Sequence, residues 1–174
     1  MQIDTIMKKL SLLILFAVAA VLPAKAQKVG FINTDSVMVA LPEYQAAVSQ
    51  LDAKANQYKQ ELEASLKVVE QMYNSYQSQK SYLSSSQRAN IENEIINREQ
   101  QVKKSQEAYF GAQGEMAKAS EQLLTPIRQK VTDAVATYSL QYGYSLVIDL
   151  AVNAGIIYKN DADDLTKAII NILK

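Results

Sequence analysis

The chain has 174 residues, 48% hydrophobic and 21% charged, with eighteen basic residues balancing eighteen acidic ones. That is enough apolar material for one folded domain, and it excludes wholesale disorder and a bulk positive field for nucleic acid. The absence of His and Cys removes thiol nucleophiles, disulfides, His-dependent general-base chemistry and nearly every zinc or copper site.

Residues 1–26 read as a signal peptide. Lys8 and Lys9 form a basic start, Leu10 to Leu22 is an apolar stretch of 13 residues, and Ala24-Lys25-Ala26 places small residues at the −3 and −1 positions of a cleavage site. The stretch is too short for a hydrocarbon core, which needs roughly 20 residues. Cleavage after Ala26 leaves a mature chain that starts at Gln27, with fifteen basic and seventeen acidic residues. Asp4 sits badly in a basic start region, so Met7 is an alternative first residue. The expected location is the periplasm.

Lys28 to Asn33 reads as a strand. Thr34 can cap a short helix through Leu41, and Pro42 ends that helix and opens the next. From Glu43 to Tyr142 the only helix breakers are Gly111, Gly114 and Pro126. Val48, Ala55, Leu62, Val69, Tyr76 and Leu83 recur at sevens, with Leu51, Tyr58, Ser65, Met72 and Gln79 three residues after the first five. This is the a/d seam of a coiled coil, and one helix from Pro42 to Leu83 would be ~60 Å long. Such a helix needs a partner to cover its stripe. Ser84 and Gln87 have the capping-box spacing, and a second stripe follows at Ile95, Val102, Tyr109, Met116 and Leu123. The two helices form an antiparallel hairpin with its tip near residues 84–86. Its seam is thinned by Ser65, Gln79, Arg98 and Ser105.

The second helix continues past Pro126 to a stop at Gly143. Tyr144 to Leu150 and Gly155 to Tyr158 read as strands, and a helix follows from about Ala162 to Leu173. The fold class is α+β: residues 28–42 and 127–174 form a body, and residues 43–126 form a long helical-hairpin, coiled-coil arm. Three short strands leave exposed edges, so the body is expected to close across copies of the chain. Its apolar strand positions, Val29, Phe31, Leu146, Ile148, Ile156 and Tyr158, are the candidate contacts of that oligomer.

Chemistry-bearing motifs are scarce. The acidic run from Asn160 to Asp164 lacks the Gly and terminal Glu of an EF-hand and reads as helix-start residues, not a metal site. Gly111-Ala-Gln-Gly114 lies within a helical run and marks a bend or a close approach, not a nucleic-acid loop. There is no G-x-x-x-x-G-K loop for a nucleotide, and Ser84 to Ser86 have no base partner. No cofactor, metal, catalytic residue or enzymatic activity is expected.

Three blocks together resemble the OmpH/Skp family of periplasmic outer-membrane-protein chaperones. They are KVGFINTDSVMVALPEY at Lys28 to Tyr44, GYSLVID at Gly143 to Asp149, and IIYKNDADDLTKAIINIL ending at Leu173. The resemblance covers essentially residues 28–174; in the hairpin it lies in length and register more than in identities. It implies a homotrimer with a small β-barrel-like body shared between subunits. Three helical arms would enclose a cavity for unfolded outer-membrane β-barrel proteins, without ATP. Residues 43–125 carry nine basic and eleven acidic residues, whereas the familiar members are strongly basic. Any lipopolysaccharide or membrane-surface contact is therefore expected to be weak.

A chaperone that holds unfolded strands must cover apolar surface without gripping one sequence. Met is adaptable, and Tyr combines area with a wettable tip. Tyr58, Met72, Tyr73, Tyr76, Tyr82 and Tyr109 are the candidate client contacts. Tyr58, Met72, Tyr76 and Tyr109 also occupy seam positions and could simply fill the coiled-coil core, whereas Tyr73 and Tyr82 lie off it. The alternative function is an extracytoplasmic coiled-coil adaptor or structural protein of the cell envelope.

Overall fold

The computed structural model describes residues 27–153 and 155–174; the expected signal peptide lies outside the described residues. Strand β1 is Lys28–Ile32, followed by helix α1, Thr34–Val39. The cap of α1 is Asn33, one residue earlier than expected, whose side chain accepts the Ser36 N–H at 2.8 Å. Thr34 cannot serve because it is engaged elsewhere. Its N–H and hydroxyl donate to the two Asp149 carboxylate oxygens at 3.2 and 2.6 Å.

Leu41 is extended, as the residue before a proline must be, and Pro42 opens helix α2, Pro42–Gln79. At 1.5 Å per residue this helix runs about 57 Å. A 3₁₀ turn, Lys80–Tyr82, leads to Ser84, which forms the anticipated capping box with Gln87 and starts helix α3, Ser85–Phe110. The return path is not one helix. It breaks at Gly111–Gly114 and resumes as α4, Glu115–Tyr142. Both glycines have extended backbone, and a Cβ on Gly111 would stand 2.4 Å from the Glu107 carbonyl oxygen. Pro126 is accommodated inside α4, and Gly143 ends the helix in the left-handed region at φ 72°.

Strand β2, Tyr144–Asp149, then pairs in parallel with β1, Val29 opposite Leu146 and Phe31 opposite Ile148. The expected strand at Gly155 to Tyr158 is absent: the sheet has two strands among the described residues, and residues 156–160 are irregular. The other edge of β1 is already occupied, since Leu165 N–H donates to the Phe31 carbonyl at 2.7 Å beside a bridge to Asp164. The outer edge of β2 is unpaired among the described residues, but the segment does not join it, and Ile157 is fully exposed. The last helix, α5, is Thr166–Leu173 and starts later than expected, because Asp161–Asp163 turn as 3₁₀ and Asp164 is extended.

The hydrophobic residues divide into two cores. One, in the body, gathers Ile32, Val37, Leu41, Ile127, Val131 and Ile169, so both chain ends meet there. The other, along the arm, consists of Val69, Tyr76, Ile95 and Val102. Polar bonds close the body at the strand ends. Asn33 N–H donates to Thr166 Oγ1 at 3.0 Å, and Thr166 N–H donates to Asp164 Oδ1 at 3.0 Å.

Asp149 joins β2 to the start of α1 and also accepts the Ala151 N–H. Partial burial pushes its pKa up, but the bonds from Thr34 and Ala151 outweigh this and hold it below the usual value. Asp164 behaves alike: burial raises it, while Lys159 and Thr166 bring it lower on balance. Both carboxyls bind protons more weakly folded than unfolded. Their stabilisation is therefore complete above the unfolded pKa of about 4 and is lost as pH falls through the lower folded values. Asp149→Ala should destabilise the body by about 1–2 kcal/mol in urea unfolding at neutral pH. The loss should shrink on acidification below about pH 4; an unchanged midpoint at neutral pH would refute the role given to this carboxylate.

Candidate functional site

Two surfaces stand out, the arm and the outer face of the sheet. In the arm, the a/d positions of α2 face α3 and the start of α4. Val69 and Tyr76 are buried, Leu62 and Met72 pack against them, and Ile95 and Val102 come from the opposite helix. Tyr58 and Tyr109 stack across the hairpin with ring centroids 4.1 Å apart and planes 5° from parallel. The Tyr109 hydroxyl donates to Glu61 Oε2 at 2.8 Å, and the Tyr76 hydroxyl donates to Glu92 Oε1. Each bond links one helix of the hairpin to the other. The bonds from Tyr109 and Gln57 lower the Glu61 pKa, and the bonds to Glu61 and Glu92 raise those of Tyr109 and Tyr76. The two phenols therefore stay protonated as donors through the physiological range.

The six candidate client contacts thus divide. Tyr58, Met72, Tyr76 and Tyr109 lie between the helices and hold the hairpin together. Tyr73 and Tyr82 face outward, 51% and 88% exposed. Attention to the seam alone missed other exposed apolar side chains of the arm, chiefly Leu66, Val68, Ile96 and Phe110. A signal for Leu66 was present. Leu66 and Tyr73 are seven residues apart, in a register otherwise held by Asp52, Lys59 and Lys80.

In the body, the register pairs Val29 with Leu146 and Phe31 with Ile148, so these four share one face of the sheet. None of them joins the body core, and Leu146 is 54% exposed. The opposite face supplies Ile32 and Val147 to the core. The other two candidate body contacts fall outside the sheet: Ile156 is half-buried and Tyr158 exposed in the irregular segment. Val29, Phe31 and Ile148 are half-buried, so this face is only partly covered within one copy, whereas parallel sheets are normally covered on both sides.

The acidic run after Asn160 is accounted for locally. Lys159 Nζ sits 2.8 Å from both Asp161 Oδ1 and Asp164 Oδ2. Those two carboxylates push the Lys159 pKa up to about 12. Among the described residues, no group of three acidic, His or Cys side chains is placed to hold a metal ion. No helix among them is long and apolar enough to cross a membrane.

The division of tyrosines makes a direct prediction. Tyr76→Ala should lower the thermal stability of the arm and speed amide exchange several-fold in α2 and α3 around it, whereas Tyr82→Ser should change neither. Equal exchange rates in the two variants would remove Tyr76 from the hairpin core.

Compared with known proteins, the chain matches the family model "Outer membrane protein (OmpH-like)" over residues 28–173. Among solved structures, it is similar to the crystal structure of a candidate outer membrane chaperone (OmpH-like) from Caulobacter crescentus CB15. The TM-score is 0.68 at 13% identity, over 85% of this chain and 84% of that one. No curated protein matches it significantly in sequence. The arrangement of hairpin and body and the extent of the family match lead to one assignment: the chain belongs to the OmpH-like family of outer membrane proteins.

Proposed function

We propose that this protein is an ATP-independent holdase of the periplasm, which shelters unfolded outer-membrane β-barrel proteins between its arms before they insert. The observation that carries the reading is the arm itself. Helix α2, about 57 Å long, is rooted in the body core at Ala47 and pairs with the return helices in a hairpin that is closed by its own thin core and presents Leu66, Tyr73, Tyr82 and Ile96 to solvent. Membership of the OmpH-like family supports it, as does a structural neighbour described as a candidate outer membrane chaperone.

The mechanism is one of many weak contacts. Unfolded β-barrel chains have moderately apolar strands and open edges that aggregate. Scattered apolar side chains on several arms cover such segments without fixing them, and the summed contacts supply the affinity. Release then needs no nucleotide, only a partner that offers the strands a better place. With nine basic and eleven acidic residues in the arm region, contact strength should come from apolar area more than from charge.

Assembly is part of the same proposal. The outer sheet face, half-buried at Val29, Phe31 and Ile148 and exposed at Leu146, leaves apolar surface to cover, and Tyr158 is exposed in a segment that forms no strand. Three copies that bring these elements together would form a shared barrel-like body and set three arms around one cavity.

The test is light scattering after dilution of a urea-unfolded outer-membrane β-barrel protein into buffer, with the mature chain and no nucleotide. Scattering should be suppressed at near-stoichiometric trimer, and changing the salt from low to moderate concentration should alter it little. Unchanged scattering by folded, oligomeric protein would move the reading to an envelope adaptor. Leu146→Asp should leave the helical circular dichroism intact and shift the trimer toward monomer in sedimentation; a variant that still sediments as wild type would remove this face from the interface.

A further inference from the structure

One flank of the arm carries more apolar surface than its core uses. In α2, Leu62 and Val69 occupy the seam, while Leu66 and Tyr73 follow each by four residues on the adjoining flank, and Val102 of α3 lies opposite. Two contiguous hollows between the helices share Leu66 and Val69 as their floor, and Tyr73 closes one end. Leu66 and Tyr73 are 54% and 51% exposed. The equivalent positions one heptad away in either direction are Lys59 and Lys80. From Leu62 to Tyr73 the groove floor is thus a short apolar patch bounded by charge, about 16 Å long at the helical rise.

Its rim is polar in a balanced way. Lys59, Lys67 and Lys103 stand against Glu63, Glu70 and Glu99, and Gln106 adds an amide. The rim therefore offers hydrogen-bond donors and acceptors with no net charge. An extended chain needs both, because its N–H and C=O groups are unpaired, whereas a helix has already satisfied its own. Length argues the same way. A third helix held only by this patch would have about three turns, too few to be stable unless its stripe continued. An extended segment sets same-face side chains about 6.6 Å apart, and three of them fit the patch.

We propose that this flank groove, floored by Leu62, Leu66, Val69, Tyr73 and Val102, is a docking site for one uncharged, extended segment with alternating apolar and polar residues. That is the pattern of a strand destined for a transmembrane β-barrel. The proposal rests on the holdase reading and assigns its contact site. It moves the emphasis away from the seam tyrosines and onto Leu66 and Tyr73.

The test uses the full mature chain and a fluorescein-labelled, uncharged eleven-residue peptide that alternates Val, Leu or Tyr with Ser or Thr. Binding is read by fluorescence anisotropy. A second peptide of the same composition, with its apolar residues at helical spacing, serves as comparison. The double variant Leu66→Gln/Tyr73→Gln should bind the alternating peptide about tenfold more weakly or worse, as the loss of two half-buried apolar contacts implies. Its circular dichroism melt should match wild type. Val39→Gln/Leu140→Gln, changed at exposed apolar positions of the body, should stay within about twofold of wild type, since neither residue lines the groove.

Equal affinity in the Leu66/Tyr73 variant, equal losses in both variants, or tighter binding of the helical-spacing peptide would each overturn the groove. The scattering assay on the same proteins separates the two ideas. Wild type that suppresses aggregation while the groove variant binds peptide unchanged leaves the holdase standing and removes this site. Wild type that fails to suppress aggregation removes the holdase reading, and the proposal with it.

Discussion

Strand β1 is five residues long, and the body is organised around it. One edge pairs in parallel with Tyr144–Asp149, more than a hundred residues away in sequence, and the other edge takes the Leu165 N–H. Joining such distant segments carries a loop-closure entropy that a flexible chain would meet in full. Here the intervening residues form a hairpin that closes on itself, so its two ends return to the body already close together. Asp149, Asn33 and Thr166 then tie the strand ends by directional bonds. The core of Ile32, Leu41, Val131 and Ile169 supplies the apolar burial beneath them.

The arm depends on that closure but is built on different terms. Its own core is four buried residues with a few half-buried neighbours, stretched along two helices. Polar links, Tyr109 to Glu61 and Tyr76 to Glu92, stand where a thicker protein would place further apolar layers. Sparse packing of this kind gives low local stability, the usual property of elements that adapt to what they bind. The return helix breaks at Gly111–Gly114 directly after the Tyr58–Tyr109–Phe110 aromatic cluster. The aromatic contacts hold the two helices in register at the point where backbone hydrogen bonding in one of them lapses.

Charge separates this chain from what the family resemblance implied. On the proposed holdase reading, an arm near neutrality would not draw clients from a distance, because opposing fields cancel within a Debye length. Recognition then falls to short-range contact, which places weight on the apolar side chains that the hairpin leaves uncovered. The same reasoning applies to the body, where the partly covered sheet face of Val29, Phe31, Leu146 and Ile148 leaves Leu146 exposed in an isolated copy.

Much of this was legible from residue order. Local rules placed β1, the proline start of α2, the Ser84–Gln87 box, the Gly143 stop and β2, because each depends on neighbours a few residues apart. Heptad spacing likewise set Tyr76 and Val69 in the seam. Some failures were local, such as the break at Gly111–Gly114 and the 3₁₀ turn at Asp161–Asp163 that delays α5; others depended on distant partners. Asn33 replaced Thr34 as the cap because Asp149 had already claimed Thr34. Gly155 to Tyr158 has a strand's composition, yet it pairs neither with β1, whose second edge is taken by Leu165, nor with the outer edge of β2. Periodicity also set Tyr73 and Tyr82 off the seam; the presence of Leu66 and Tyr73 on one open flank followed from how two helices meet. Periodicity alone determines that a stripe will be buried; the width of the interface, a property of the packed pair, decides which residues beside it stay exposed.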